Sequence, residues 1–325
     1  MKSAKIRVIV LALLALAAVQ LQAAETGSFD KTLQVSGPVD LNVTSGSGNI
    51  TVRTGASSVV HVSAKIRASD HWLGGGMSAH GKIQKIQANP PIEQTGNSIR
   101  IGRIEDRELQ QNVSIDYDLT VPAQTRLAAN TGSGDQTING LQLPLTAKSG
   151  SGNLTVENIG ADVRLGAGSG DLKITSVKGA LNAATGSGNV LATGIAGEIT
   201  ANTGSGKVEV EQTGAGNVRV GTGSGNVKLR GVRGGLRVET GSGDIRVEGE
   251  PTGDWRAGAG SGNIELKLPS SASFNIDVRT SSGELKVNRP VTMQGNLGKH
   301  HVQGKVGNGG VLLDLHTGSG DIEVN

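Results

Sequence analysis

Ten identical copies of Gly-Ser-Gly punctuate this 325-residue chain. They begin at Gly46, Gly132, Gly150, Gly168, Gly186, Gly204, Gly223, Gly241, Gly260 and Gly318, and from Gly132 to Gly260 every step is 18 or 19 residues. A unit of that length cannot bury an apolar face by itself, so neighbouring copies must stack and share one core.

The unit that opens at Gly204 shows how. Val208, Val210, Val218 and Val220 alternate with Glu209, Glu211 and Arg219, and period-two alternation over short runs marks half-buried strands. Thr203-Gly204-Ser205-Gly206 is echoed by Thr213-Gly214-Ala215-Gly216, so one unit reads as strand, turn, strand, turn. The glycines, and Asn217, are expected to supply positive-φ corners. The predicted fold is all-β: a parallel β-solenoid of about ten 18-residue coils, stacked about 4.8 Å apart.

Outward positions test the register. One column collects Lys173, Leu191, Glu209, Lys228, Arg246, Glu265 and Lys286; its neighbour collects Thr175, Thr193, Glu211, Arg230, Glu248, Lys267 and Asn288. Signs alternate through much of their middle, which suits ladder neighbours because like charges directly opposite repel. Each exposed pair is worth only about 0–1 kcal/mol, but a one-residue slip would invert the whole pattern.

The chain divides into three parts. Residues 1–24 read as a signal peptide: Lys2, Lys5 and Arg7 precede an apolar run from Val8 to Val19, and Ala23-Ala24 offers a small-residue cleavage point. That run is too short for the roughly 20 residues of a membrane-spanning helix. Residues 25–125 form an N-terminal β region capping the solenoid, with strands over Val59–Ile66, Ser98–Ile101 and Val113–Val121 and a Gly-rich loop over Ala68–Gly81. Residues 126–325 carry the solenoid repeats, interrupted by an irregular insertion at 289–310. No helix is expected beyond the leader. The final Asp321-Ile322-Glu323-Val324-Asn325 reads as a strand in an uncapped last coil, whose open edge predicts end-to-end self-association.

Composition narrows the function. Cleaving the leader removes three basic and no acidic residues, leaving 28 of each sign, without the basic excess of a nucleic-acid binder. There is no cysteine, hence no disulfide and no thiolate metal site. Five aromatic residues (Phe29, Trp72, Tyr117, Trp255 and Phe274) point to a narrow aliphatic core, with Trp255 inside it.

Several segments together resemble a known group: Phe29-Asp30-Lys31-Thr32-Leu33, then Ser45-Gly46-Ser47-Gly48-Asn49-Ile50-Thr51-Val52, then Tyr117-Asp118-Leu119-Thr120-Val121-Pro122, followed by the Thr-Gly-Ser-Gly-Asp/Asn repeats. This pattern is similar to the bacterial putative adhesin family of exported β-strand-repeat proteins. The resemblance covers essentially the whole chain after the leader and implies a β-solenoid at the cell envelope. It carries no catalytic residues over.

Residues suited to catalysis or metal binding are sparse. After Gly-Ser-Gly stand Asp135, Asp171, Asp244 and Asp321, but also Asn49, Asn153, Asn189, Asn226, Asn263 and Lys207. A calcium ladder needs an oxygen ligand at every turn, so a corner position for a short polar residue is the better reading. His61, His71, His80, His300, His301 and His316 show no metal-ligand spacing, and no serine sits in a Gly-x-Ser-x-Gly context. Carboxylates are scattered. No catalytic residue, metal or cofactor is expected.

Two binding candidates stand out. The outward column Arg164, Asn182, Thr200, Arg219, Arg237, Arg256 ends in three arginines on consecutive coils, suited to bidentate contacts with phosphate or carboxylate. Trp72 lies beside Gly74-Gly75-Gly76 and reads as a contact tip. The function these features support is a non-enzymatic, adhesin-like binding or structural module at the bacterial cell envelope, periplasmic or at the cell surface. It would bind an envelope glycan or protein partner. The alternatives are a periplasmic assembly or envelope-stress partner, or a β-helix enzyme acting on anionic polysaccharide.

Overall fold

Two parallel ladders organise the chain. The computed structural model describes residues 25–70, 76–293 and 298–325, with 61% strand and 5% helix. The first ladder stacks Val39–Ser45, Thr125–Thr131, Leu145–Ser149, Val163–Ala167, Leu181–Thr185, Ile199–Thr203 and Val218–Thr222. The second stacks Ile50–Thr54, Gln136–Asn139, Leu154–Ile159, Leu172–Val177, Val190–Ile195 and Val208–Gln212. Both then enter the long strands Val227–Ser242 and Ile245–Ser261, each of which contributes to both ladders.

Alternation decides what each strand buries. Inward positions of the first ladder pair a large aliphatic with alanine or valine, as in Leu145/Ala147, Leu181/Ala183 and Val218/Val220, all buried. Their counterparts in the second ladder are Leu154/Val156, Leu172/Ile174 and Val208/Val210. Small side chains on one wall let the two walls approach and fill the space at interior density. Trp255 is 1% exposed in this core and its Nε1 donates to the Gly234 carbonyl at 2.9 Å.

The order along the stack departs from chain order at both ends. The coil of Val39–Ser45 and Ile50–Thr54 lies between the later strands Ser98–Ile101 and Val113–Val121 on one side and Thr125–Thr131 and Gln136–Asn139 on the other. Likewise Leu312–Ser319 lies between Ile245–Ser261 and Phe274–Ser282, while Ile322–Val324 lies between Ile264–Lys267 and Leu285–Val287. Antiparallel strands adjoin each end: Val59–Ala68, Glu25–Gln34 and Ile92–Thr95 at one, His301–Val306 and Val291–Met293 at the other.

This topology corrects the expected open C-terminus. The terminal strand is paired on both sides, and Asn325 donates its N–H to Leu266 and accepts from Leu268. The final strand is therefore not an edge and offers no open ladder for end-to-end association. The charge columns change with it: Glu323 stands between Glu265 and Lys286, and Asn288 faces Asn325.

Helices are a second correction. Ala79–Ala88 is helical, capped by Ser78, whose hydroxyl accepts from the Gly81 N–H at 3.1 Å. Its buried side, Ala79, Lys82, Ile83 and Ile86, packs on the Glu25–Gln34 strand, where a Cβ on Gly27 would lie 2.3 Å from Ile83. Gly81 within the first turn masks the helical pattern, since glycine disfavours a helix interior. A second, four-residue helix spans Arg107–Gln110.

Candidate functional site

The corners turn out to be self-satisfying. Each Asn or Asp after Gly-Ser-Gly accepts, through Oδ1, the backbone N–H of the equivalent residue one coil on: Asp135 from Asn153 at 2.7 Å, Asn153 from Asp171 at 2.9 Å, Asp171 from Asn189 at 2.7 Å and Asn189 from Lys207 at 2.9 Å. The series resumes with Asn226, Asp244 and Asn263 as acceptors. Acceptor oxygen is what the position requires, and both Asn and Asp carry it. A hydroxyl residue before most triplets works the same way in the interior. Thr185, Thr203, Thr222 and Thr240 donate their hydroxyls to the carbonyls of Gly170, Gly188, Gly206 and Gly225 at 2.8–3.1 Å.

Positive φ is not the reason for most corner glycines. Asn217 is not in the left-handed region, and the non-glycine residues that are, Asn112, Asn158 and Ser176, lie elsewhere. Close stacking is the reason: a Cβ on Gly134 would lie 2.0 Å from the Gly48 carbonyl oxygen, and one on Gly152 1.9 Å from that of Gly134. No side chain fits there.

Between the corners, the first ladder presents the arginine column in the expected register. Arg164 pairs with Asn182, Asn182 with Thr200, Thr200 with Arg219, Arg219 with Arg237 and Arg237 with Arg256. The structure then adds a feature the repeat spacing hid, because Asp314 follows Arg256 and Asp277 follows Asp314. Arg256 Nε contacts Asp314 at 2.8 Å and Arg237 Nη2 contacts Glu239 at 2.7 Å. Among the described residues Arg219 forms no ion pair. The column two residues along holds Gly221, Glu239, Gly258 and His316, with the Asn202 side chain over Gly221 and the His316 ring over Gly258.

The second ladder offers a mixed surface instead, with four basic and two acidic side chains around one depression. Lys228, Arg230, Arg246, Glu248, Glu265 and Lys267 line a shallow depression of about 210 Å³, with Arg246 Nε 3.0 Å from Glu265. Trp72 and His71 lie outside the described residues. His61 bonds Thr32 at 3.1 Å, His80 approaches Glu25 at 3.4 Å and His301 meets Asp277 at 3.0 Å. Among the described residues no three His, Asp or Glu side chains converge as a metal site, and no helix is long and apolar enough to cross a membrane.

Comparison with known proteins gives the family. A family model described as Toastrack DUF4097 matches the chain twice, over residues 30–196 and 161–325. A crystal structure of a putative adhesin from Bacteroides fragilis is 12% identical, covering 92% of this chain and 97% of that one at a TM-score of 0.33. One of a putative cell adhesion protein from Clostridium sporogenes is also 12% identical, covering 92% and 99% at a TM-score of 0.19. No curated protein matches. The adhesin resemblance carried by the repeats is thus in keeping with the family match, and with two overlapping matches spanning residues 30 to 325, this chain belongs to the Toastrack DUF4097 family.

Proposed function

We propose that this chain is a non-enzymatic binding or structural module, exported to the bacterial cell envelope, whose arginine column engages an anionic polymer there. One observation carries the reading: Arg219, Arg237 and Arg256 stand on successive rungs, at a spacing of about 4.8 Å. A polymer lying along the stack would meet one guanidinium per rung. Arg219 is the leading contact, because Arg237 and Arg256 share their charge with Glu239 and Asp314. Guanidinium groups favour paired contacts with phosphate or carboxylate, and many weak exposed contacts add up along a regular face.

Binding of the chain lacking residues 1–24 to lipopolysaccharide and to an anionic glycan array tests this. Replacing Arg219, Arg237 and Arg256 with Gln together should weaken binding by about tenfold or more at low salt, with Arg219→Gln the largest single effect. Wild-type binding should also fall as salt rises, since exposed charges are screened. Equal binding by wild type and the triple variant at low salt would remove the proposal.

A further inference from the structure

One end of the stack holds a cavity unrelated to the arginine column. Residues 102–112 stand where the following coils carry their tight corner, as the pairings of Ile101 with Val43 and of Tyr117 with Ile50 show. The space left, about 610 Å³, is lined by Ile101, Ile104, Leu109, Val113 and Ile115 on its apolar side. Such a volume lies in the range of small-molecule sites, which join an apolar wall to a few convergent polar groups.

Beside the side chains of Asn42, Thr44 and Gln110, which can also accept, those polar groups include several donors. The Tyr117 side chain lines the cavity and is 2% exposed, and its hydroxyl has no hydrogen-bond partner. Buried hydroxyls without partners are rare and costly in folded proteins. Burial also pushes the phenol's pKa upward, so the group stays protonated and able to donate. Gly46 supplies a second donor. The first glycine of each following triplet, from Gly132 through Gly223, gives its N–H to a carbonyl of the preceding coil. Gly46 opens the ladder of triplets at an exposed position and, among the described residues, its N–H meets no protein acceptor. A Cβ built on Gly46 meets nothing within 4 Å, whereas one on Gly132 would lie 2.3 Å from the Gly46 oxygen. Arg100 and Arg103 add positive charge to a lining that also holds Asn42, Thr44, Ser45 and Gln110 and contains no carboxylate. Glu93 and Glu105 reach these arginines at 3.8 and 3.2 Å.

We infer that this cavity binds a small molecule with an apolar body and one carboxylate, held by the orphaned Tyr117 hydroxyl and Gly46 N–H and by the Arg100 and Arg103 guanidinium groups. An apolar chain matches the Ile/Leu/Val wall. An acceptor-rich anion matches the Tyr117 hydroxyl, the Gly46 N–H and the two guanidinium groups.

Isothermal titration of the chain lacking residues 1–24 with sodium decanoate, and with decan-1-ol as the uncharged probe of the same length, tests the assignment. Decanoate should bind saturably at one site per chain, at least about tenfold more tightly than decan-1-ol. Gly46→Leu, which places a side chain in the open space, should abolish binding. Tyr117→Phe should weaken it about three- to tenfold while leaving the thermal midpoint unchanged or higher, because the variant removes an unsatisfied buried hydroxyl. Should Gly46→Leu fail to fold by circular dichroism, Arg100→Gln with Arg103→Gln replaces it and should bring decanoate binding down to the level of decan-1-ol. Absent saturable decanoate binding, equal affinity for the two probes, or binding indifferent to these variants would each overturn the inference. The Arg219, Arg237 and Arg256 variants should leave decanoate binding intact, which keeps this outcome separate from that of the polymer proposal.

Discussion

Lys207 is the one residue after a Gly-Ser-Gly triplet that cannot accept a hydrogen bond through its side chain. Its own N–H is satisfied by Asn189 Oδ1 at 2.9 Å, but it offers nothing to Asn226 on the next coil. The polar ladder therefore lapses for one rung between runs of Asn and Asp. Lys207→Asn should restore it. A hydrogen bond of this kind contributes about 0.5–1.5 kcal/mol net, so the urea unfolding midpoint should rise. An unchanged or lower midpoint would show that solvent already satisfies the Asn226 N–H. The same logic explains why Asn and Asp interchange freely at this position: the shared acceptor oxygen matters, not the charge.

Corners show how an element sets the tolerance of its own residues. Gly46 opens one triplet and Gly134 closes the next, and their surroundings differ. A Cβ on Gly134 would lie 2.0 Å from the Gly48 oxygen, while one on Gly46 meets nothing within 4 Å. Gly134→Ala would force two coils apart and should destabilise by about 3 kcal/mol or more, whereas Gly46→Ala should change stability by less than about 0.5 kcal/mol. Urea midpoints of the two variants check this, and similar losses would refute the stacking account. The interior hydroxyls make the same point. Thr185 and Thr203 satisfy glycine carbonyls of the preceding coil, but Ala167 and Ala259 stand at the equivalent position with no hydroxyl to give.

Across the whole molecule, the ends behave differently from the middle. An internal unit contacts only its two neighbours in sequence, so deleting residues 172–189 would join Asp171 to Val190 in register and shorten the stack by about 4.8 Å. Truncation after residue 311 removes fewer residues but takes out strands paired on both sides, separating the coils of Ile245–Lys267 and Phe274–Val287. The truncated chain should lose far more strand signal by circular dichroism than the residues removed contribute, and should unfold at a lower midpoint than the internal deletion. The reverse order would argue against the intercalated arrangement.

Much of this architecture was legible from residues alone. The 18-residue spacing and the Val/Glu alternation of units such as Gly204–Val220 determine parallel strands in register, because only that stacking buries each unit's apolar positions. The same register places Arg219, Arg237 and Arg256 in one column and Trp255 in the core. Tertiary structure decided what spacing cannot encode. Glu323 sits between Glu265 and Lys286 because the last coil inserts between two earlier ones, and pairing across such sequence distances depends on which coil edges are free when the chain arrives. The helix at Ala79–Ala88 was hidden by Gly81 and declared by docking against Gly27. The cavity beneath Gly46 exists only because residues 102–112 leave the repeat, so its orphaned Tyr117 hydroxyl has no signature in the sequence: a buried tyrosine becomes a site through what fails to pack against it.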